Sequence, residues 1–212
     1  MKRRPLLAGI GALTLAGCLG ETDPTDGETD SEEHGENDTE GAELVESELS
    51  RSEVGEKLED ATDIEYEEVH VARTHETPPW AVDRENPAGY AALYDSAADA
   101  TESLPFEEVE ADREDDLEAF IDETDFDAAR LLYVVAVGLG TSDLTTDVDQ
   151  LGVRDGELVG SASVGNGDEG DSMNMYASTL VRVTPDGGGL PDRATVLVQS
   201  RQDREIVVEA TS

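Results

Sequence analysis

Cysteine occurs once in the 212 residues, at Cys18. No disulfide can form within the chain, so stability has to come from burial. Histidine is almost as scarce, with only His34, His70 and His75. A structural zinc site takes about four Cys, His or acidic ligands, usually led by Cys and His, more than these side chains supply. His75-Glu76 begins like the H-E-x-x-H zinc motif, but Pro79 stands where the second histidine belongs. On a regular strand His70 and His75 also have opposite parity and point to opposite faces. No G-x-S-x-G nucleophile elbow occurs. No catalytic residue is assigned, and no cofactor is expected.

Positive charge is the other shortage. Lysine appears at Lys2 and Lys57 alone, and 14 bases in total face 52 acids, a net charge of −38. Three of those bases sit in the first four residues. Such an excess repels nucleic acid and anionic lipid surfaces, so neither is an expected partner.

The N-terminus carries the clearest signal. Lys2, Arg3 and Arg4 precede an uncharged run from Pro5 to Ala16 rich in Leu, Ala and Gly. At ~1.5 Å per residue that run covers under ~20 Å of a hydrocarbon core ~30 Å thick. It is too short for a permanent span and has the three-part order of a removed targeting peptide. It closes on Leu15-Ala16-Gly17-Cys18, which resembles the lipobox of prokaryotic lipoproteins. The resemblance implies that the Cys18 thiol accepts a diacyl- or diether-glyceryl group. Cleavage between Gly17 and Cys18 would then leave Cys18 as the new N-terminus. One acyl chain binds a membrane only marginally, whereas two make a stable anchor. Arg3-Arg4 also looks like a twin-arginine export signal, although Lys2 and Pro5 depart from the strict motif.

Three segments follow: a signal peptide over 1–17, a lipidated cysteine with an acidic tether over 18–45, and a globular domain over 46–212. The stretch from Glu21 to Glu43 holds eleven acids and no Lys or Arg. Nothing there offsets ordering entropy, so it is expected to be disordered, with His34 solvated. The expected location is the cell membrane, lipid-anchored through Cys18 and facing outside.

Abundant acids, scarce lysine and few aromatics make the chain similar to proteins of extreme halophiles, haloarchaea above all. At molar salt the Debye length falls to ~3 Å, which screens repulsion that would swell the chain in dilute buffer. Thr124-Asp125-Phe126-Asp127 and Gly152-Val153-Arg154-Asp155-Gly156 resemble segments of uncharacterised haloarchaeal lipoproteins. That likeness implies no activity. Some members of that group carry further cysteines in this region, and this chain does not.

The downstream pattern predicts an α+β fold: an antiparallel sheet or sandwich meander packed with one or two helices. Between Leu44 and Asp63 a strand or a short helix both fit. Ile64 and Tyr66, then Val69 and Val71, alternate with a change of parity that suggests a bulge between the two pairs. Gly89 to Tyr94 reads as a strand or a helix start. Ser96 is a candidate N-cap for Ala97 to Leu104, with Pro105 as the stop. Leu117, Phe120 and Ile121 give Asp112 to Glu123 helical spacing. Leu131 to Val137, apolar throughout, reads as a strand covered on both faces, one of them by that helix. Asp155-Gly156 predicts a two-residue hairpin pairing Val153 with Leu158 and Leu151 with Gly160. Strands around 173–183, 194–198 and 206–210 complete the meander.

Two stretches are candidate sites. Trp80, Tyr90 and Tyr94 flank a Pro-broken loop, which either displays aromatics for contact or plugs the end of the core. Asn166, Asp168, Glu169 and Asp171 offer oxygens in a Gly-rich loop. Asp171 and Ala177 nonetheless occupy the positions where a calcium-binding EF-hand needs Gly and Glu, so no metal is expected. The predicted function is a lipid-anchored, non-enzymatic binding or accessory module for a surface protein or glycan. The alternative is a small extracytoplasmic enzyme using carboxylates that no motif marks.

Overall fold

A computed structural model describes residues 45–111, 113–140, 144–165, 173–187, 189–200 and 204–212. These lie in one compact unit. Arg3, Arg4, Gly17, Cys18, His34, the acidic stretch before Val45, and Asn166, Asp168, Glu169 and Asp171 all fall outside the described residues. No described helix is long and apolar enough to cross a membrane.

The fold is α+β, with two sheets face to face and helices on their outer faces. The first sheet contains β1 (Val45–Glu46), β2 (Thr62–Asp63), β6 (Thr145–Arg154), β7 (Glu157–Gly165), β9 (Arg193–Gln199) and β10 (Glu205–Thr211), in the order β1-β10-β9-β7-β6-β2. The second contains β3 (Tyr66–Thr74), β4 (Gly89–Tyr94), β5 (Arg130–Leu139) and β8 (Asn174–Val183), in the order β3-β8-β5-β4. Residues of one parity on each strand meet between the sheets. Leu158, Ala162, Val196, Val198 and Val208 of the first share one core with Leu132, Val134 and Val181 of the second. Hydrogen bonds cross the interface: Tyr66 Oη donates to the Val148 carbonyl at 3.1 Å, and Thr146 Oγ1 donates to the Ala177 carbonyl at 2.5 Å while accepting the Ala136 amide at 3.2 Å.

The opposite parity of the first sheet places Val159, Leu197 and Val207 outside. There they bury Val54 and Leu58 of α1 (Arg51–Glu59). α1 begins with a capping box: Ser50 Oγ accepts the Glu53 amide, and the Glu53 carboxylate accepts the Ser50 amide. A helix therefore forms where the sequence left strand and helix open. The second sheet is covered by α2 (Ala97–Ser103), capped by Ser96, and by α3 (Glu114–Asp122). α3 buries Leu117 and Ile121, four residues apart on one face, and crowds Glu114, Asp115 and Asp116 into its first turn.

β5 is the strand expected from Leu131 to Val137, and all seven of those residues are buried. The hairpin has the expected register, Val153 against Leu158 and Leu151 against Gly160. Its turn holds Asp155 at φ 53 and Gly156 at φ 82, the left-handed pair that a two-residue turn requires.

Two expectations are corrected. The chain after β7 does not continue as a meander: β8 crosses to the other sheet, and β9 returns parallel to β7. Local turn signals fix hairpins but say nothing about which sheet receives the next strand. The β3 bulge lies between His70 and Arg73 rather than between Tyr66 and Val69. Tyr66 to His70 pair regularly with β8, so Tyr66 and Val69 lie on opposite faces, and each packs against the core.

Candidate functional site

Trp80, Tyr90, Tyr133 and Tyr176 form one aromatic cluster on the helix-covered face of the second sheet. Tyr90 and Tyr94 are four residues apart on β4, so strand alternation sends both rings to that face. They are 4 % and 6 % exposed. Trp80, in a short 3₁₀ turn (Pro79–Ala81), lies over Tyr90 with ring centres 5.3 Å apart and planes 14° from parallel. Its edge meets Tyr176 at 5.8 Å, and Tyr90 meets Tyr133 at 6.3 Å. Burial pushes the Tyr90 hydroxyl up to about 12. Burial likewise raises Tyr94 and Tyr133, opposed by hydrogen bonds to Ser103 and Ser178 respectively. These phenols stay neutral at any physiological pH. A contact loop of Trp80, Tyr90 and Tyr94 is thus corrected: the two tyrosines are core, and the half-buried Trp80 stacks over Tyr90.

Two of the charged groupings bear on packed sheet faces. On the outer face of the first sheet, Lys57 Nζ reaches Glu157 Oε2 at 2.8 Å, and Thr195 Oγ1 donates to Glu157 Oε1. Burial of Glu157 works against its charge, but the bonds from Lys57 and Thr195, with the Lys57 charge, outweigh it and hold the carboxyl below its usual range. This arrangement ties α1 to the hairpin and to β9.

The second is at the β3 bulge. Ser178 Oγ accepts the Ala72 amide and donates to the Ala72 carbonyl, each at 3.2 Å, which satisfies the backbone where the ladder breaks. Beside it is a cavity of about 80 Å³ lined by His70, Arg73, Arg113, Thr145 and Ser178 among others. Arg73 and Arg113 approach the Glu110 carboxylate at 3.7 and 3.4 Å. His70 lies opposite Thr179 in register and is exposed. His75 follows the end of β3, and its Nδ1 is 3.2 Å from the Asn174 carbonyl. Among the described residues no group of three or more His, Cys, Asp or Glu is placed to hold a metal.

This basic cavity was not visible in the sequence. Arg73, Arg113 and Thr145 are scattered along the chain, and only the bulge and the packing of α3 bring them together. The rarity of basic residues was the one available hint.

No protein-family model matches the chain, nor does any curated protein or solved structure.

Proposed function

We propose that the chain is a lipid-anchored protein of the outer cell surface, whose folded unit is a non-enzymatic binding or accessory module. The observation that carries this reading is Leu15-Ala16-Gly17-Cys18 at the end of a short uncharged run behind Lys2-Arg3-Arg4. That arrangement provides a thiol for a thioether-linked lipid, with small residues before it where a peptidase must reach the backbone. The stretch from Glu21 to Glu43, with eleven acids and no base, is read as the tether between anchor and domain. Stretched by its like charges, the tether lifts the domain away from the lipid surface. A solvated acidic surface suits concentrated salt, where it stays hydrated.

The binding reading is preferred to the enzymatic one by the behaviour of the acids. A general acid at neutral pH needs a carboxyl whose pKa is raised by its surroundings. Among the described residues, Glu53 and Glu157 are the carboxyls displaced from the ordinary range, and both are displaced downward. Each is committed to a structural role, Glu53 in the α1 cap and Glu157 in the Lys57 pair.

Replacing Cys18 with Ser tests the anchor, because a hydroxyl cannot form the thioether. The expected result in the native host at high salt is loss of the protein from the membrane fraction and its appearance in the medium or the soluble fraction. Unchanged membrane retention of Cys18→Ser overturns the reading. Cross-linking of the wild-type protein on intact cells, followed by mass spectrometry, then identifies what the domain touches.

A further inference from the structure

One stretch of chain crosses the outer face of the first sheet from border to border. β1 pairs with β10 at one edge, α1 lies over β6, β7 and β9, and β2 pairs with β6 at the other edge. Little holds this arm, residues 45–63, in place. β1 and β2 are two residues each, and all four of those residues are exposed. The buried side chains of α1, Val54 and Leu58, join Val159, Leu197 and Val207 in a cluster separate from the core between the sheets. Ile64, the next residue, packs against that main core, which fixes the hinge of the arm. Of its ion pairs, Lys57–Glu157 at 2.8 Å is partly sheltered. Arg51–Glu205 at 3.0 Å, Asp60–Arg154 at 3.4 Å and Glu46–Arg84 each have at least one exposed partner, and pairs of that kind contribute little.

Charge works against the arm. It carries seven acids and two bases, and residues 64–212 carry thirty-four acids and nine bases. We infer that residues 45–63 form a salt-gated arm, closed on the first sheet in concentrated salt and released as salt falls while the two sheets stay together. Screening sets the gate. The Debye length is ~3 Å at 1 M salt and ~10 Å at 0.1 M, so repulsion between arm and domain is nearly absent in brine and grows on dilution. The contact pairs strengthen on dilution too, but they engage few of the acids, and the surplus on both sides is left to repel. Segments with few buried apolar contacts are the ones that open without global unfolding. Release uncovers Val159, Leu197 and Val207, an apolar strip that a partner could reach only at lower salt. It also adds about 19 extended residues, up to ~65 Å, to the chain ahead of the domain. The inference stands independently of the anchor.

The test is hydrogen exchange of the full-length chain, read by mass spectrometry across a descending series of potassium chloride concentrations and corrected for intrinsic exchange. Protection over residues 54–59 should fall at least tenfold at a salt concentration where protection over residues 131–137 changes less than twofold. Glu48, Glu56 and Glu59 are exposed acids of the arm outside its cap and the ion pairs named above. The triple variant E48Q/E56Q/E59Q should therefore close at a salt concentration at least twofold lower than wild type. Gly152→Ala should raise that concentration at least twofold, because the added Cβ would lie 2.9 Å from Ala61 Cβ and from the Thr62 carbonyl oxygen and push β2 off its edge. Leu58→Ala, which removes packing from the arm alone, is the reserve if the glycine variant misfolds and should act in the same direction. Three outcomes overturn the inference: loss of protection over both segments together at every salt, arm protection that holds until the sheets unfold, or a triple variant that closes at the same salt as wild type.

Discussion

Val134 and Val135 are adjacent on β5, and the layered architecture makes a demand on both. Val134 lies between Ala91 and Thr179 in register and faces the first sheet; Val135 lies between Tyr90 and Ser178 and faces the helices. They are 0 % and 2 % exposed. Aspartate at either position loses the burial of a valine, about 2 kcal/mol. Its carboxyl must also become neutral, and a pKa raised by ~3 units adds ~4 kcal/mol at one 1.36 kcal/mol step per unit. The total of about 6 kcal/mol is comparable with the ~5–15 kcal/mol stability of a typical domain. Both Val134→Asp and Val135→Asp should therefore abolish folding or come close to it. The alanine variants give a milder reading, about 2 kcal/mol each from lost burial and residual cavity. Thermal unfolding followed by circular dichroism in multimolar potassium chloride measures all four. If Val135→Ala unfolds within ~0.3 kcal/mol of wild type while Val134→Ala does not, the helices do not cover β5, and the reasoning fails.

Gly156 sits at φ 82 with open space around it, so Gly156→Ala should cost ~1–2 kcal/mol through conformation alone, measurable by denaturant titration. Lys57→Met should destabilise the domain by ~1 kcal/mol at neutral pH by leaving Glu157 without its charged partner. The Glu157 carboxyl is held below the ordinary glutamate pKa of about 4.3. Its contribution is thus full above about that pH and is lost as pH falls through the lowered folded value. The gap between wild type and Lys57→Met should accordingly close in acid, and a gap that persists at pH 2 would count against the pairing. With a net charge of −38, the domain should lose its cooperative thermal transition in dilute buffer and regain it in multimolar salt; equal transitions in both would remove screening from the account.

Local chemistry made much of this fold readable. Asp155-Gly156 fixed a turn and its register because few residues tolerate left-handed backbone. Ser96 and Pro105 bracket α2 because one caps and the other stops. Leu131 to Val137 betrays a doubly covered strand by having no polar face. α1 was just as legible, since Ser50 with Glu53 three positions later is a capping box and Val54 and Leu58 are one helical turn apart, but the irregular spacing of Leu44, Val45 and Leu49 before them obscured it. The crossover of β8 between sheets was not legible, because alternation specifies faces and not neighbours. The basic cavity depends on the same long-range assembly. Tyr90 and Tyr94 misled for a related reason: proximity to a proline-rich loop suggested display, whereas their spacing on β4 turns both inward.

The anchor is the centre of the account, and the mass of the mature protein tests it most directly. Protein extracted from membranes at high salt should begin at Cys18 and carry the added mass of a two-chain glyceryl lipid on that residue. A chain that begins at Met1, or one that begins at an unmodified Cys18, would contradict it.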